Sequence, residues 1–317
     1  MTLLTVIIVC NDTSSYLDDL LSSLNNQSNN DFKILVVSNK KFNFKSNIPL
    51  KLLITKEVSP SKKRNIALDI CNTKYVCFLD DDSYCPENYI KKSIKYFDKY
   101  DFFGGPGILP INSTLIQKII YYTQTTFASF SNYRYFQNNK IFKVNELHTV
   151  NFNLNLNYLG DIRFDNNFWP GEDTKFFFDI LKKNEIYYIG NHYVFHYPRN
   201  SFYKYLRQVN RFGFYRIKLI NLDNINKNII LFCPMILTLY FVLVPFFNIY
   251  VVPKFFYIPI ILYLIFIIIC AYQAYKKSKK IFYFFTTLVT VPLTHFSYGI
   301  GSMMAILIKK YPKLFFR

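Results

Sequence analysis

From Ile229 to Val252, and again from Phe255 to Tyr275, the chain carries no charged residue; Ile281–Ile308 is also free of formal charge, although it contains His295. Runs of this length meet the roughly 20 residues an α-helix needs to cross a hydrocarbon core. Soluble domains seldom bury helices that long without a polar face. The pattern therefore predicts a transmembrane region of about three segments over 229–308. Pro292, Gly299 and Gly301 interrupt the third run, which fits a tilted, a kinked or a partly re-entrant segment. Basic residues predict orientation. Lys276-Lys277-Ser278-Lys279-Lys280 separates the second and third runs and reads as a cytoplasmic turn. Only Pro253-Lys254 separates the first two, so the N-terminal domain shares that side, and the expected localisation is a multi-pass protein of the cell membrane. The basic tail, 309–317, conflicts with the rule if all three runs cross fully. Re-entrance of the third would remove the conflict.

The formal net charge of +18 is therefore concentrated outside the apolar third. Between Arg199 and Lys218 there are six basic residues and no acid, with Phe202, Leu206, Val209 and Phe212 at helical spacing. This predicts a basic amphipathic segment over 199–228, lying on anionic lipid beside the first apolar run. Its position argues for lipid or diphosphate as the partner, not nucleic acid. Six cysteines without paired spacing predict free thiols in a reducing compartment.

Residues 1–198 have a different rhythm. Thr5–Val9 is short, apolar and β-branched, as suits a strand buried on both faces of a parallel sheet. Asn11–Ser15 then offers helix caps, and Leu17, Leu20, Leu21 and Leu24 recur at helical spacing. Lys33–Val37 and Lys51–Ile54 read as further strands and Lys62–Ile70 as a helix. Tyr75–Phe78 leads into Asp80-Asp81-Asp82. Such alternation predicts an α/β sheet with right-handed crossovers, binding ligands at the carboxyl ends of its strands. Asn11, Ser38 and the three acids all fall at such ends. Three adjacent carboxylates repel one another unless a cation sits on them, and hard oxygen ligands suit magnesium or manganese. Helix capping before Pro86 is the alternative.

The order Val6–Asp12, Leu20–Gln27, Arg64-Asn65-Ile66-Ala67, Phe78–Asp82, Gly171-Glu172-Asp173, Val194-Phe195-His196 and Gln208–Phe212 resembles family 2 glycosyltransferases. The resemblance implies a GT-A-type, Rossmann-like nucleotide-sugar-binding domain followed by C-terminal transmembrane helices, and inversion at the anomeric carbon. It implies donor contacts from Asn11, Asp12, Ser38, Arg64, Asp80 and Asp81. A divalent cation, magnesium or manganese, would be held by Asp82 and Asp80, with His196 either a metal or diphosphate contact or a structural residue. Asp173 would be the general base, with Glu172 beside it; the alternative is that both are helix-start acids favoured by the dipole. Gln208, Arg211, Phe212 and Trp169 would face the acceptor or the diphosphate. The chain departs from the family twice. Ser38 stands where an acid is common, so donor identity does not carry over, and Phe212 replaces a tryptophan of a motif used by processive members.

The expectation is a membrane-anchored enzyme that moves a sugar from a nucleotide-diphosphate sugar to a hydroxyl of a lipid-linked or growing envelope glycan. A processive polysaccharide synthase, a polyprenyl-phosphate glycosyltransferase and a non-catalytic membrane scaffold with the same fold are the rivals. The partners implied are donor, acceptor and membrane lipids.

Overall fold

The computed structural model describes residues 3–129, 132–168, 171–223, 229–244 and 253–312. In chain order the first elements are β1 (Leu4–Cys10), α1 (Ser15–Asn25), β2 (Phe32–Ser38), β3 (Leu50–Ile54), α2 (Pro60–Ile70), β4 (Tyr75–Asp80), β5 (Ser83–Tyr84) and α3 (Tyr89–Phe97). Next come β6 (Phe102–Gly104), β7 (Gly107–Ile108), α4 (Leu115–Gln124), β8 (Ile141–Val144), β9 (Asn151–Asn155), α5 (Leu156–Leu159), α6 (Glu172–Leu181), β10 (Ile186–Ile189) and β11 (Val194–His196). Four helices follow: α7 (Phe202–Asp223), α8 (Cys233–Leu243), α9 (Ile258–Ser278) and α10 (Ile281–Leu307).

The chain divides into two units. The first comprises Met1–Ile111 and Tyr133–Tyr197, the second Asn112–Asn132 and Pro198–Arg317. The stretch 112–132 lies in sequence within the expected 1–198 domain, yet it groups with the C-terminal helices.

The first unit is built on a mixed sheet of order β3-β2-β1-β4-β9-β6-β10-β8. The first four strands are parallel, and β9 runs antiparallel to both β4 and β6. β1 sends alternate residues to opposite faces, which is why it has no polar side. Leu4, Val6 and Ile8 join one core with α1 and α3, while Ile7 joins the other with α2 and α6. Ser14 caps α1 by accepting the Leu17 N–H, and Leu17, Leu20, Leu21 and Leu24 form its buried stripe. Each of those leucines contributes about 1.5–3 kcal/mol of burial.

Strand order reverses at β1, with β2 on one side and β4 on the other. The crevice outside the carboxyl end of β1 is thus the topological switch point where such sheets bind ligands. A second sheet, β5-β11-β7, brings His196 opposite Ser83, just after the acids that end β4.

In the second unit α10 is the common partner of α4, α7, α8 and α9. The helices meet where side chains are smallest. A Cβ on Gly301 would lie 1.9 Å from the Asn210 carbonyl oxygen, and one on Gly213 would lie 2.1 Å from that of Tyr298. Gly299 is crowded in the same way by Pro234 and Thr238 of α8.

Three expectations change here. Of the three apolar runs, one helix among the described residues, Phe255–Ser278, is long and apolar enough to cross a membrane. The first run yields only a short 3-10 turn, Ile229–Phe232, and the 11-residue α8 within its described part; residues 245–252 lie outside the described residues. The third forms one continuous α-helix through Pro292, so no re-entrant loop interrupts it. Its threonines, glycines and His295 lower its hydropathy, and Thr290, His295, Gly299 and Gly301 meet neighbouring helices. The apolar positions of α7 were expected on lipid. Instead Tyr205 and Val209 pack with Ile120 and Tyr298, and Phe214, Ile217 and Ile220 pack with Ala305 and Tyr311. The described cysteines are all free.

Candidate active site

Arg64 lies at the centre of the acidic cluster. α2 starts with Pro60 at its first position and turns Ser61, Lys63, Arg64, Ala67 and Leu68 inward. The Arg64 guanidinium is 5% exposed and spans two carboxylates: Nη2 to Asp80 Oδ1 and Nη1 to Glu172 Oε1, each 3.1 Å. Burial alone would push the guanidinium pKa down, but Asp80, Glu172 and Asp173 outweigh it and raise it. Arg64 thereby links the end of β4 to the first turn of α6, residues far apart in sequence.

α6 opens at Gly171, whose φ of 110° lies in the left-handed region that only glycine enters freely. That turn aims two acids at the helix N-terminus, where the macrodipole favours negative charge. Glu172 is buried; burial and the adjacent Asp173 push its pKa up to about 7, and Arg64 pulls against them. Its Oε2 has no hydrogen-bond partner among the described residues. Asp173 is half-buried, and its Oδ1 accepts the Thr174 N–H at 2.9 Å. Burial and the Glu146 carboxylate raise its pKa, while Arg64 and Arg134 oppose the shift.

Three neighbours of this pair gave no sequence signal. Arg134 pairs with Glu146 at 3.4 Å, and Glu146 accepts from the Thr174 hydroxyl at 2.7 Å. His148 is half-buried, and desolvation, Arg134 and His196 hold its pKa well below the usual imidazole range. All three lie between β7 and β9, where no periodic pattern marks them. Lys63 was also missed, because the resemblance singles out Arg64-Asn65-Ile66-Ala67 and not the lysine before it. Its ammonium is buried and donates to the Cys10 carbonyl and Asn11 Oδ1, each 2.5 Å, and to Asn39 Oδ1 at 2.6 Å.

The other expected residues divide among several roles. The Asn11 oxygen faces Lys63, so its amide N–H groups point elsewhere. Asp12 forms an exposed pair with Lys40 at 2.9 Å, a type worth little in water. Ser38 is fully buried at the end of β2 and accepts the Lys40 N–H, as a turn residue does. Asp81 is half-buried beside Asp82. Asp82 Oδ1 stands 3.2 Å from His196 Nε2. Gln208, Arg211 and Phe212 belong to α7 in the second unit, where Phe212 packs with Tyr205 and Val209. Trp169 lies outside the described residues.

The expected metal trio is therefore not gathered as three ligands, since Asp80 is engaged by Arg64. Among the described residues no group of three or more His, Cys, Asp or Glu could hold a metal by itself. Asp82 and His196 do fit a cation that draws its remaining oxygens from a diphosphate, the usual way magnesium is bound in phosphoryl-group sites.

Residues 5–154 match the family model described as "Glycosyl transferase family 2". That stretch is similar to family 2 glycosyltransferase domains. Among solved structures the chain is similar to mannosyltransferase PcManGT from Pyrobaculum calidifontis in complex with GDP-Man and Mn2+. The identity is 12%, over 70% of this chain and 65% of that one, with a TM-score of 0.51. The likeness is one of fold, and this chain spans less than two thirds of that protein. S. aureus TarS 1-349 matches at 16% identity over 95% of this chain and 91% of its own, with a TM-score of 0.45. The same fragment in complex with UDP matches at 15% identity over the same shares, with a TM-score of 0.47. No curated protein matches the chain.

Proposed function

We propose that the chain is a membrane-associated, inverting glycosyltransferase that moves a sugar from a nucleotide-diphosphate sugar to a hydroxyl of a lipid-linked or growing envelope glycan. The observation that carries this reading is the Arg64 bridge. It ties the strand-end acid Asp80 to Glu172, and so holds the next residue, Asp173, beside the carboxyl ends of the strands.

In this mechanism the crevice at the end of β1 takes the nucleotide. Asp82 and His196 would hold a divalent cation, and its positive charge would stabilise the departing diphosphate. The acceptor hydroxyl oxygen attacks the anomeric carbon from the face opposite the diphosphate. Asp173 takes the hydroxyl proton as the new C–O bond forms and the old one breaks. Its raised pKa suits that task, because a carboxylate that binds protons more tightly is a stronger base. Arg64 keeps Glu172 from competing by holding it in an ion pair. The matched family 2 domain supports the donor class. The helix Phe255–Ser278 supports membrane association, with the lysines that end it on the cytoplasmic side.

Asp173→Asn tests the reading. Nucleoside diphosphate binding with manganese should persist while transfer falls by about 10²–10⁴-fold, the usual worth of a general base. Near-normal transfer would reject the base and favour a phosphate acceptor, whose nucleophile arrives ionised. A wild-type protein that binds no nucleoside diphosphate would leave only the scaffold reading.

A further inference from the structure

α4 and the turn after it were read as part of a soluble domain, yet they group with the apolar helices. The sequence Asn112–Asn132 contains one charged residue, Lys118, and no acid. Thr114 and Gln117 form a reciprocal capping box at the start of α4, so its first turn needs no water. The inner face of α4 docks on α10 through Thr123 to Thr290, 2.5 Å between hydroxyls, and through Tyr122 to Tyr283. Its outer face leaves Leu115 56% exposed and Ile116 38% exposed, and Phe127 in the turn is 59% exposed.

The polar groups of that turn are matched by side chains of the apolar helices. The Thr125 carbonyl accepts from Lys277 Nζ, and the Phe127 N–H donates to Gln273 Oε1 at 2.9 Å. The Ala128 carbonyl accepts from His295 Nε2 at 3.3 Å, while His295 Nδ1 accepts a hydrogen bond from the Tyr263 hydroxyl at 3.1 Å. The hydroxyls of Thr125 and Thr126 turn back to the Tyr122 and Thr123 carbonyls. A surface loop has no need of such provision, because water would satisfy it. Irregular backbone at bilayer depth requires it, since an unsatisfied group there costs several kcal/mol.

Depth can be read along the helices. Ala128 packs with Ile267, Cys270 and Val291. Cys270 is roughly seven residues from Lys277, about 10 Å at 1.5 Å per residue. Val291 is roughly ten residues past Ile281, about 15 Å by the same rise. Both measures put Ala128 well inside the hydrocarbon if Lys276–Lys280 marks the headgroup level.

We infer that the segment 112–129 is a re-entrant membrane element, with Leu115, Ile116 and Phe127 in contact with lipid acyl chains. This rests on the membrane reading of α9 given above. The outer face of α9, including Leu262, Ile265 and Ile269, is exposed in the same way, so lipid covers both elements.

The chain has a single tryptophan, Trp169, which allows a clean test. In a Trp169→Phe background, Phe127→Trp, Ile116→Trp and Ile265→Trp are each reconstituted, as the full chain, into phosphatidylcholine vesicles with brominated acyl chains. Asn47→Trp, on an exposed loop of the first unit, is the aqueous control. Phe127→Trp and Ile116→Trp should emit to the blue of the control and lose at least half their intensity, as Ile265→Trp does. If Ile265→Trp is quenched and both reporters near α4 behave like the control, the re-entrant element is overturned and the membrane reading stands. Blue emission without quenching would also overturn it, because protein would then cover the turn. If Ile265→Trp itself is not quenched, the membrane reading falls and this inference falls with it.

Discussion

The two units invert one another's use of size and polarity. In the first, the largest side chains are inside: Phe78, Phe152, Phe164, Phe176, Phe177 and Tyr188 are fully buried around the sheet. In the second, α10 buries Gly299, Gly301, Ser302 and Ala305, while Phe282, Phe285, Val289 and Ile306 are exposed. The first unit gains stability from removing apolar surface from water. The second adds to its apolar clusters a close backbone approach and hydrogen bonds such as Ser302 Oγ to the Gly213 carbonyl, 3.3 Å. Charge follows the same division: the first unit buries the Arg64 guanidinium between two carboxylates, and the second buries neutral groups such as Thr290, His295 and Ser302.

The sharpest way to break the comparison is Arg64→Met. The substitution leaves Glu172 buried without its counter-charge, and removing one partner of a buried pair costs about 3–5 kcal/mol. The loss should appear in hydrogen exchange of β1, β4 and α6, with α9 and α10 protected as before. Unchanged protection in α6 would show that the bridge does not hold the site together. Next is Gly301→Val. Its new side chain would drive into the Asn210 carbonyl, an overpacking expected to cost about 1–3 kcal/mol. Here α7 and α10 should lose protection and the sheet should keep it; loss in the sheet instead would mean the units do not hold themselves together separately.

A smaller effect separates the two carboxylates of α6 by their titration. A base works only when deprotonated, so transfer should be full above the Asp173 pKa and fall about tenfold per pH unit below it. Because burial and Glu146 raise that pKa, the fall should begin at a higher pH than for an ordinary carboxylate. Glu146→Gln removes one raising charge and leaves Arg134 to pull downward. The acid limb of the pH–rate profile should therefore move to lower pH, and a limb that stays put or rises would exclude Asp173 as the titrating group.

The sequence revealed what is local. The all-apolar Thr5–Val9, the leucine spacing of α1 and the acids after Tyr75–Phe78 each carry their own period, and β1, α1 and β4 follow them. What it concealed depends on partners distant in sequence. Arg64 meets Glu172 across 108 positions, and Thr123 meets Thr290 across 167. Lys63 looks like surface until its three oxygen partners converge from the ends of β1 and β2. α4 has the same isoleucine spacing whether its inner face meets a sheet or α10, so pattern alone could not assign its unit. The absence of charge in α10 was legible, but not that its polar residues face other helices.

The mildest test concerns that assignment. In the capping box at α4, Thr114 Oγ1 accepts the Gln117 N–H at 3.3 Å and Gln117 Oε1 accepts the Thr114 N–H at 2.8 Å. Thr114→Ala removes the first bond, and loss of such a cap costs about 0.5–2 kcal/mol. In water, solvent replaces most of the lost acceptor and the cost sits at the low end. In lipid nothing replaces it, so the cost should rise, and α4 amides should exchange faster in vesicles relative to wild type than they do in detergent dilute enough to admit water. Gln117 also donates from Nε2 to the Pro198 carbonyl at 2.9 Å, so the helix start stays anchored and the variant isolates the cap itself. An equal penalty in both media would mean that the start of α4 is wet, confining any lipid contact to the turn around Phe127.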